Sequence, residues 1–438
     1  MSLTEEFLVS KARQISKELG EPDWLREMRE RSARLFFKLD MPEHARHVKV
    51  DFESLEYFSP AEKAEKLEEL PQEIRETLEA LGIPEEEMEM LAGMQVQVDS
   101  SIVYQTFSDQ LKSLGVIAMP IDRAIREHED LVRSYFARLA GPEENKILAL
   151  HYALWAGGTF IYVPEGVEVP FPVSALFVMR SLPIAQADHT IVVAEEGAKV
   201  HYIEGCSAPS YIREALHYGV TEVWAYPGAE VRITTMQNWA NHVINLPTKR
   251  GVAMSRAKIE WVESLMGSKH TAVRPVIHLR GEGSSARNVG LSFVKGEERH
   301  DAGVVIRHLA PNTKSQVISK SVAKDRGSTN FYGKVEIVQG AKGSSGFVQC
   351  DSLLLSPEAS SETIPALRSD EIDSELGHEA YVGKVAEDKL FYLMSRGLNE
   401  EEAITMIVLG FFEPVVRDIP FEYANEIKRL IELSIKGM

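Results

Sequence analysis

Short runs rich in β-branched and aromatic residues recur at near-equal spacing between residues 200 and 350. GAKVHYIEG places Val200, GAEVRITTM Val231, RAKIEWVE Ile259, SARNVGLSF Val289, TKSQVISKS Val317 and SSGFVQCDS Phe347, at successive intervals of 31, 28, 30, 28 and 30 residues. A further run, STNFYGKVEI, places Phe331 about midway through the last interval. A coil of fixed perimeter produces such spacing, because each turn stacks on the one before and the inward apolar positions join into a column. The spacing predicts a β-solenoid. A β-sandwich, whose strands also recur between turn signals, is the other architecture this pattern permits.

The two-residue period starts at GTFIYVPEGVEVPFPV and is flanked on both sides by helical spacing. Upstream, PDWLREMRERSARLFFKLD, PAEKAEKLEELPQEIRETLEALG, DRAIREHEDLVRSYFARLAG and EENKILALHYALWAGG all read as helices, with Pro22, Pro60 and Pro71 where helices can begin. Downstream, AEDKLFYLMSRGLNEEEAITMIVLGFFEPVV and PFEYANEIKRLIELSIKGM read as two or three more. Asn399 with Glu402 forms an N-cap signature there, and Gly397 suits the end of the preceding helix. The chain is therefore mixed α and β, with an N-terminal helical region over 1–155, a strand-rich core over 156–380 and a C-terminal helical domain over 381–438. The run AITMIVLGFF is more apolar than a short helical tail can bury alone, so it must pack on the solenoid end or on a partner.

With 438 residues, 44% of them hydrophobic, the chain can fill a sizeable core. Its 66 acidic against 48 basic residues, a formal charge of −18, exclude a phosphate-driven, sequence-independent nucleic-acid role. No membrane span is expected, since no run approaches 18 apolar residues, and the first residues lack the apolar core of a secretory signal. Two cysteines 144 positions apart do not make a multi-bridge secreted framework, so a reducing cytoplasm is the expected compartment. There is no P-loop sequence, so no nucleotide is expected on this chain, and any ATP must be a partner's. Zincin, nucleophile-elbow and C-x-x-C motifs are absent too.

Two thiols and scattered histidines remain. A lone cysteine in a strand is most often core. Cys206, however, follows Gly205 and precedes SAP, a strand-end or turn setting in which a thiol can be presented, and Cys350 stands in QCDS on a strand of period two. His189, His201, His217, His242, His270, His278, His300 and His308 read as surface or hydrogen-bonded core residues, and KGEERHD at 295–301 as a solvated turn.

GGTFIYVPEGV, YIEGCSAP, TTMQNW, PTKRG, NTKSQVISKS, QCDS, GHEA and FYLMSRGLNEEEAITMIVLGFF, in this order, resemble the SufB proteins of the SUF iron-sulfur cluster assembly system. The likeness runs from about residue 100 to the end, and EPDWLREMRERSARLFFKLDMP extends it into the N-terminal helices. It implies a right-handed parallel β-helix between helical domains, paired with a second SufB or SufD copy and docked on the SufC ATPase through its C-terminal helices. On the matching positions it implies that Cys206 accepts sulfur, that Cys350 is a cluster ligand near the subunit interface, and that His378 and Glu379 of GHEA complete the ligand set. Gln237 and Trp239 of QNW, with Lys249 of TKR, match positions lining a path between the thiols. The sequence departs from the pattern at three places: it has no N-terminal cysteine cluster, Gly377 stands where some relatives have an acid, and Val178 and Arg180 replace a polar pair.

The function so implied is that of an assembly scaffold and not an enzyme: persulfide sulfur arrives from a donor of the SufS type with SufE or SufU, and a transient iron-sulfur cluster forms at Cys350. One thiolate, an imidazole and a carboxylate are a weak set, suited to a cluster that is surrendered. The main alternative is a SufD-like structural subunit whose thiols are incidental. A cysteine enzyme with Cys206 as nucleophile and His201 as base is a second one, disfavoured because strand parity separates His201 from its neighbours at 202 and 204.

Overall fold

The computed structural model describes residues 3–61, 69, 72, 91–180, 183–208, 215–417 and 421–436. Within them the strands stack in parallel, coil upon coil, into a β-solenoid of about seven turns with helices at both chain ends. The first wall is a ladder of Val173–Val178, Lys199–Ser207, Glu230–Trp239, Lys258–Gly267, Ser285–Val294, Lys314–Ala323, Ser344–Leu354 and Ser374–Lys384. The second runs from Thr159–Val163 through His189–Ala194, Val220–Ala225, Thr248–Ala253, Val276–Leu279, Arg299–His308 and Ser328–Ile337 to Ser360–Ser369. A short third ladder, Ala185–Gln186, Ala215–His217, Val243–Asn245 and His270–Val273, merges into Arg299–His308. Early coils therefore carry three strands and later coils two. Parallel ladders with one continuous interior rule out the sandwich, which is built from antiparallel sheets.

The recurrence in the sequence is right at its start and slips later. Val200, Val231 and Ile259 are in register, but the next member of that column is Ala286, followed by Ser315 and Gly346. Val289 stands opposite Val262, and an offset of three residues turns a side chain to the other face. Val289 thus packs outside, in the cluster with Leu291 and Phe293, while Phe347 pairs with Gln316 and is 41% exposed. The inward column changes there to small residues, so the β-branched signal passes to its neighbours.

Helices Glu5–Leu19, Asp23–Leu35 and Lys146–Leu154 share one core with the outer side of the second wall. The region over 1–155 is not purely helical. Gly93–Val98 adds to the first wall in parallel with Val173–Val178, Ser101–Phe107 caps it antiparallel, and Ile117–Pro120 caps Thr159–Val163. These strands seal the first coil, closing an edge that would otherwise invite pairing. The helix expected over PAEKAEKLEELPQEIRETLEALG lies almost wholly outside the described residues.

Glu400–Val416 begins with the capping box of Asn399 and Glu402, and Gly397, at φ +101°, follows the helix Glu387–Ser395. Val408, Phe412 and Val415 of this helix, with Ile427 and Ile431 of Phe421–Lys436, cover Val262, Val289, Leu291 and Phe293 on the outside of the first wall. The apolar run therefore packs along the flank of the solenoid. Glu387–Ser395 by contrast buries no residue, and its Phe391 is 74% exposed.

One glycine sets a corner beside the interior. Gly267 ends its strand at φ +68°, and a β-carbon there would overlap the Trp239 carbonyl oxygen of the coil below. Gly267→Ala is expected to lose roughly 1–3 kcal/mol from the backbone conformation alone. A lower urea midpoint at unchanged slope would show it.

Candidate functional site

Residues two apart on a strand share a face, so the inward positions of the first wall can be read as columns from the register. Glu204, Thr235, Glu263, Gly290, Ser319 and Cys350 form one column. Cys206, Gln237, Leu265, Ser292, Ser321 and Ser352 form the next. Two adjacent columns of mostly small or polar side chains thus run through an otherwise apolar interior, with Cys206 at one end and Cys350 at the other. Five ladder steps separate the two strands, about 24 Å at the usual strand spacing.

Cys206 is fully buried, not presented at a turn as its GCSAP context suggests, because the strand Lys199–Ser207 continues past it and turns the thiol inward. The thiol addresses Oε1 of Glu204 at 3.9 Å. Burial, reinforced by the negative charges of Glu204 and Asp188, pushes its pKa well above the ordinary thiol value, and Lys249 only partly opposes this. Burial also lifts the Glu204 carboxyl to about 7.

Lys249 reaches across from the second wall. Its ammonium donates to Glu263 Oε1 at 2.6 Å and Thr235 Oγ1 at 2.9 Å. Burial pulls its pKa down, but Glu263 and Glu204 more than offset that, so it stays charged. Beside it a chain of hydrogen bonds crosses the interior. His217 bonds Asp188 Oδ1 through Nε2 at 2.9 Å and Asn245 Oδ1 through Nδ1 at 2.8 Å, and Asn245 donates to Gln237 Oε1 at 2.5 Å. Both His217 nitrogens face acceptors. Burial opposes its protonation, but the bond to Asp188 and that carboxylate's charge prevail and raise the pKa. The His217 and Trp239 rings lie 4.9 Å apart. Gln237 Nε2, Trp239 Nε1 and Glu204 Oε2 are buried without a hydrogen-bond partner in the protein. Orphaned polar atoms of this kind are costly, and a polar guest offsets the cost.

Further along, Ser292 Oγ meets His300 Nδ1 at 2.7 Å and Ser321 Oγ meets Ser352 Oγ at 2.7 Å. Cys350 is buried, and burial first, then Asp351, pushes its thiol up to about 12. His378 and Glu379 lie on the last, exposed strand. His378 stands opposite Val348, on the side of Cys350, whereas Glu379 stands opposite Gln349, on the other. Adjacent strand residues point to opposite faces. One chain therefore does not gather Cys350, His378 and Glu379 into a three-ligand group. His201 faces outward and meets Thr234 Oγ1 at 2.9 Å, away from Cys206, which removes it as a base for that thiol.

The structure thus brings Cys206, Gln237, Trp239 and Lys249 together, and adds Glu204, Asp188, Asn245 and Glu263, with His217, which the sequence reads only as a surface or hydrogen-bonded core histidine. Glu204 was discoverable by parity, two residues before Cys206. The others lie on other strands or, for Asp188, in the link before His189–Ala194, and carry no local signal.

A parallel coil with two buried thiols joined by columns of small and polar side chains, and with helices at both chain ends, defines the class of helix-flanked β-solenoids. Residues 177–411 match the SUF system FeS cluster assembly SufBD core domain, and residues 87–174 the SufBD protein N-terminal region. An iron-sulfur cluster assembly SufBD family protein of Staphylococcus aureus is 42% identical over 440 residues, covering 99% of this chain and 93% of the relative. A SufBD family protein of Staphylococcus epidermidis is 42% identical over 438 residues with the same coverage. The chain belongs to the SufBD family of the SUF iron-sulfur cluster assembly system. No helix among the described residues is long and apolar enough to cross a membrane.

Proposed function

We propose that this chain is a SufB-type scaffold on which sulfur received at Cys206 is built into a transient iron-sulfur cluster at Cys350. The observation that carries the reading is the polar double column joining the two buried thiols. In the first step the Cys206 thiolate attacks the outer sulfur of a donor persulfide. A Cys206 persulfide forms and the donor leaves as a thiolate, with no net oxidation. Incorporation of that sulfane sulfur as sulfide needs two electrons from a reductant outside this chain. Gln237, Trp239 and the Lys249 ammonium offer hydrogen bonds and positive charge to a sulfur anion along the lane.

Cys350 then holds iron with His378, which shares its side of the sheet. Glu379, turned outward, is available to a cluster shared across the edge with a second SufB or SufD copy. Ser374–Lys384 is the last strand of its wall, and Tyr381 and Val382 on it are exposed. Such an edge favours a second copy. The exposed Phe391, Tyr392 and Met394 favour docking of the SufC ATPase at the C-terminal helices, and SufS with SufE or SufU fits as donor. A cytoplasmic location accords with free, unpaired thiols.

The separation of Cys350 from Glu379 favours the rival reading, a SufD-like structural subunit. Anaerobic reconstitution with ferrous iron and sulfide decides between them. The scaffold is expected to develop cluster absorption, reduced at least ~10-fold in Cys350→Ala, as for loss of a metal ligand's support. No absorption, or absorption unchanged in Cys350→Ala, would establish the SufD-like role.

A further inference from the structure

Away from the interior lane, three side chains distant in sequence converge where the N-terminal region meets the solenoid. His47 follows the short turn Glu43–Ala45, His270 opens the strand His270–Val273, and Asp301 lies on Arg299–His308. His270 pairs with Arg299, so Asp301, two residues on, projects from the same side. Nε2 of His47 lies 2.7 Å, and Nε2 of His270 2.5 Å, from the same atom, Oδ2 of Asp301. The three donor atoms fall within 4.8 Å of one another, and among the described residues no other trio of His, Cys, Asp or Glu does so.

Asp301 has further partners. Arg299 donates Nε to Oδ2 at 3.0 Å and Nη2 to Oδ1 at 3.3 Å, and Asn330 donates to Oδ1 at 2.6 Å. Oδ2 thus faces three nitrogens, while a carboxylate oxygen offers about two lone-pair sites. A cation resolves this oversubscription. It takes the lone pair of each imidazole and one from Oδ2, and leaves Oδ1 to Asn330 and Arg299. Arg299 is 43% exposed, so its Nε can turn to water.

We propose that His47 Nε2, His270 Nε2 and Asp301 Oδ2 bind one borderline divalent transition cation of the zinc or ferrous class, with solvent completing its shell. Two imidazoles and one carboxylate suit such ions, whereas magnesium and calcium prefer all-oxygen sets. Metal-ligand bonds of about 2.0–2.2 Å set ligand atoms roughly 3.4 Å apart, so the imidazoles withdraw from Asp301 by less than about 1 Å. Because His47 belongs to the N-terminal region and the other two to successive coils, the ion ties that region to the solenoid. The site contains neither thiol and stands apart from the scaffold reading.

The test is cobalt titration of the full chain after chelator treatment, followed by visible absorption and by zinc competition. One equivalent of cobalt, displaced by zinc, is expected. His47→Ala and His270→Ala should each weaken it by at least ~10-fold, while Cys350→Ala retains it. His47 is 43% exposed, so His47→Ala is expected to keep the wild-type circular dichroism, and zinc should raise the melting temperature of the wild type but not of this variant. No stoichiometric binding, wild-type affinity in both histidine variants, or loss in Cys350→Ala alone would overturn the site.

Discussion

Cys206→Ser is expected to take no sulfane sulfur from a persulfide donor and to form no cluster from that source, yet to reach wild-type cluster content when ferrous iron and sulfide are supplied directly. The difference follows from position. Cys206 sits about five ladder steps from Cys350 on the inner face, too far to ligate the same cluster, so in the proposed scaffold its part is delivery alone. Its thiol is held protonated by burial and by Glu204, so the attacking thiolate must be made on demand. Glu204 is the neighbouring base, and only its carboxylate form can take the proton. With its carboxyl raised to about 7, sulfur uptake should rise with pH through about 7 and then level off. Glu204→Gln should remove that rise and slow uptake ~100-fold or more, the usual weight of a positioned base. Labelling with a radioactive persulfide donor across pH 5.5–9 reads both effects, taking those limits as about two units either side of neutrality. Normal labelling of Cys206→Ser, or its failure with direct sulfide as well, would contradict the division of roles.

Much of this fold could be read in the residues because a coil repeats its own constraint. Gly, turn and β-branched signals recur once per turn, and the first three members of the column, Val200, Val231 and Ile259, are correct in register. The reading fails where the inward residues become Ala286, Ser315 and Gly346, since small residues carry no strand signal and the outward Val289 and Phe347 carry it in place of Ala286 and Gly346. The strands at Gly93–Val98 and Ser101–Phe107 escape the sequence because the first is fixed by pairing with distant Val173–Val178 and the second by pairing with the first, which outweighs the helical bias of the surrounding sequence. In the candidate site, Cys206, Gln237, Trp239 and Lys249 are singled out by family resemblance, and the structure brings them near one another. Their partners Asp188, His217 and Glu263 were not, because nothing in a linear sequence states which polar residues face each other across a closed coil. The side on which Glu379 points was available from parity alone, as an odd-even neighbour of His378.

The ion pair of Lys249 and Glu263 separates what the lane needs for folding from what it needs for chemistry. Both side chains are buried and lie 2.6 Å apart. Glu263→Ala strands an ammonium in the interior with Thr235 as its remaining hydrogen-bond partner, and Lys249→Ala strands a carboxylate. Each is expected to cost about 3–5 kcal/mol, because an uncompensated charge remains in a low-dielectric interior. Lys249→Met combined with Glu263→Leu removes both charges and keeps the volume, so its stability should return to within about 1 kcal/mol of wild type or exceed it. Urea unfolding measures all three. The double variant, folded but without its ammonium, should still accept sulfur at Cys206, since Glu204 and the thiol remain in place, with the rise in uptake moved to higher pH because Lys249 no longer lowers either pKa, yet fail to pass it onward to a cluster. Full cluster yield from a persulfide donor in that variant would show that Lys249 serves only as a structural counter-charge and that sulfur moves without it.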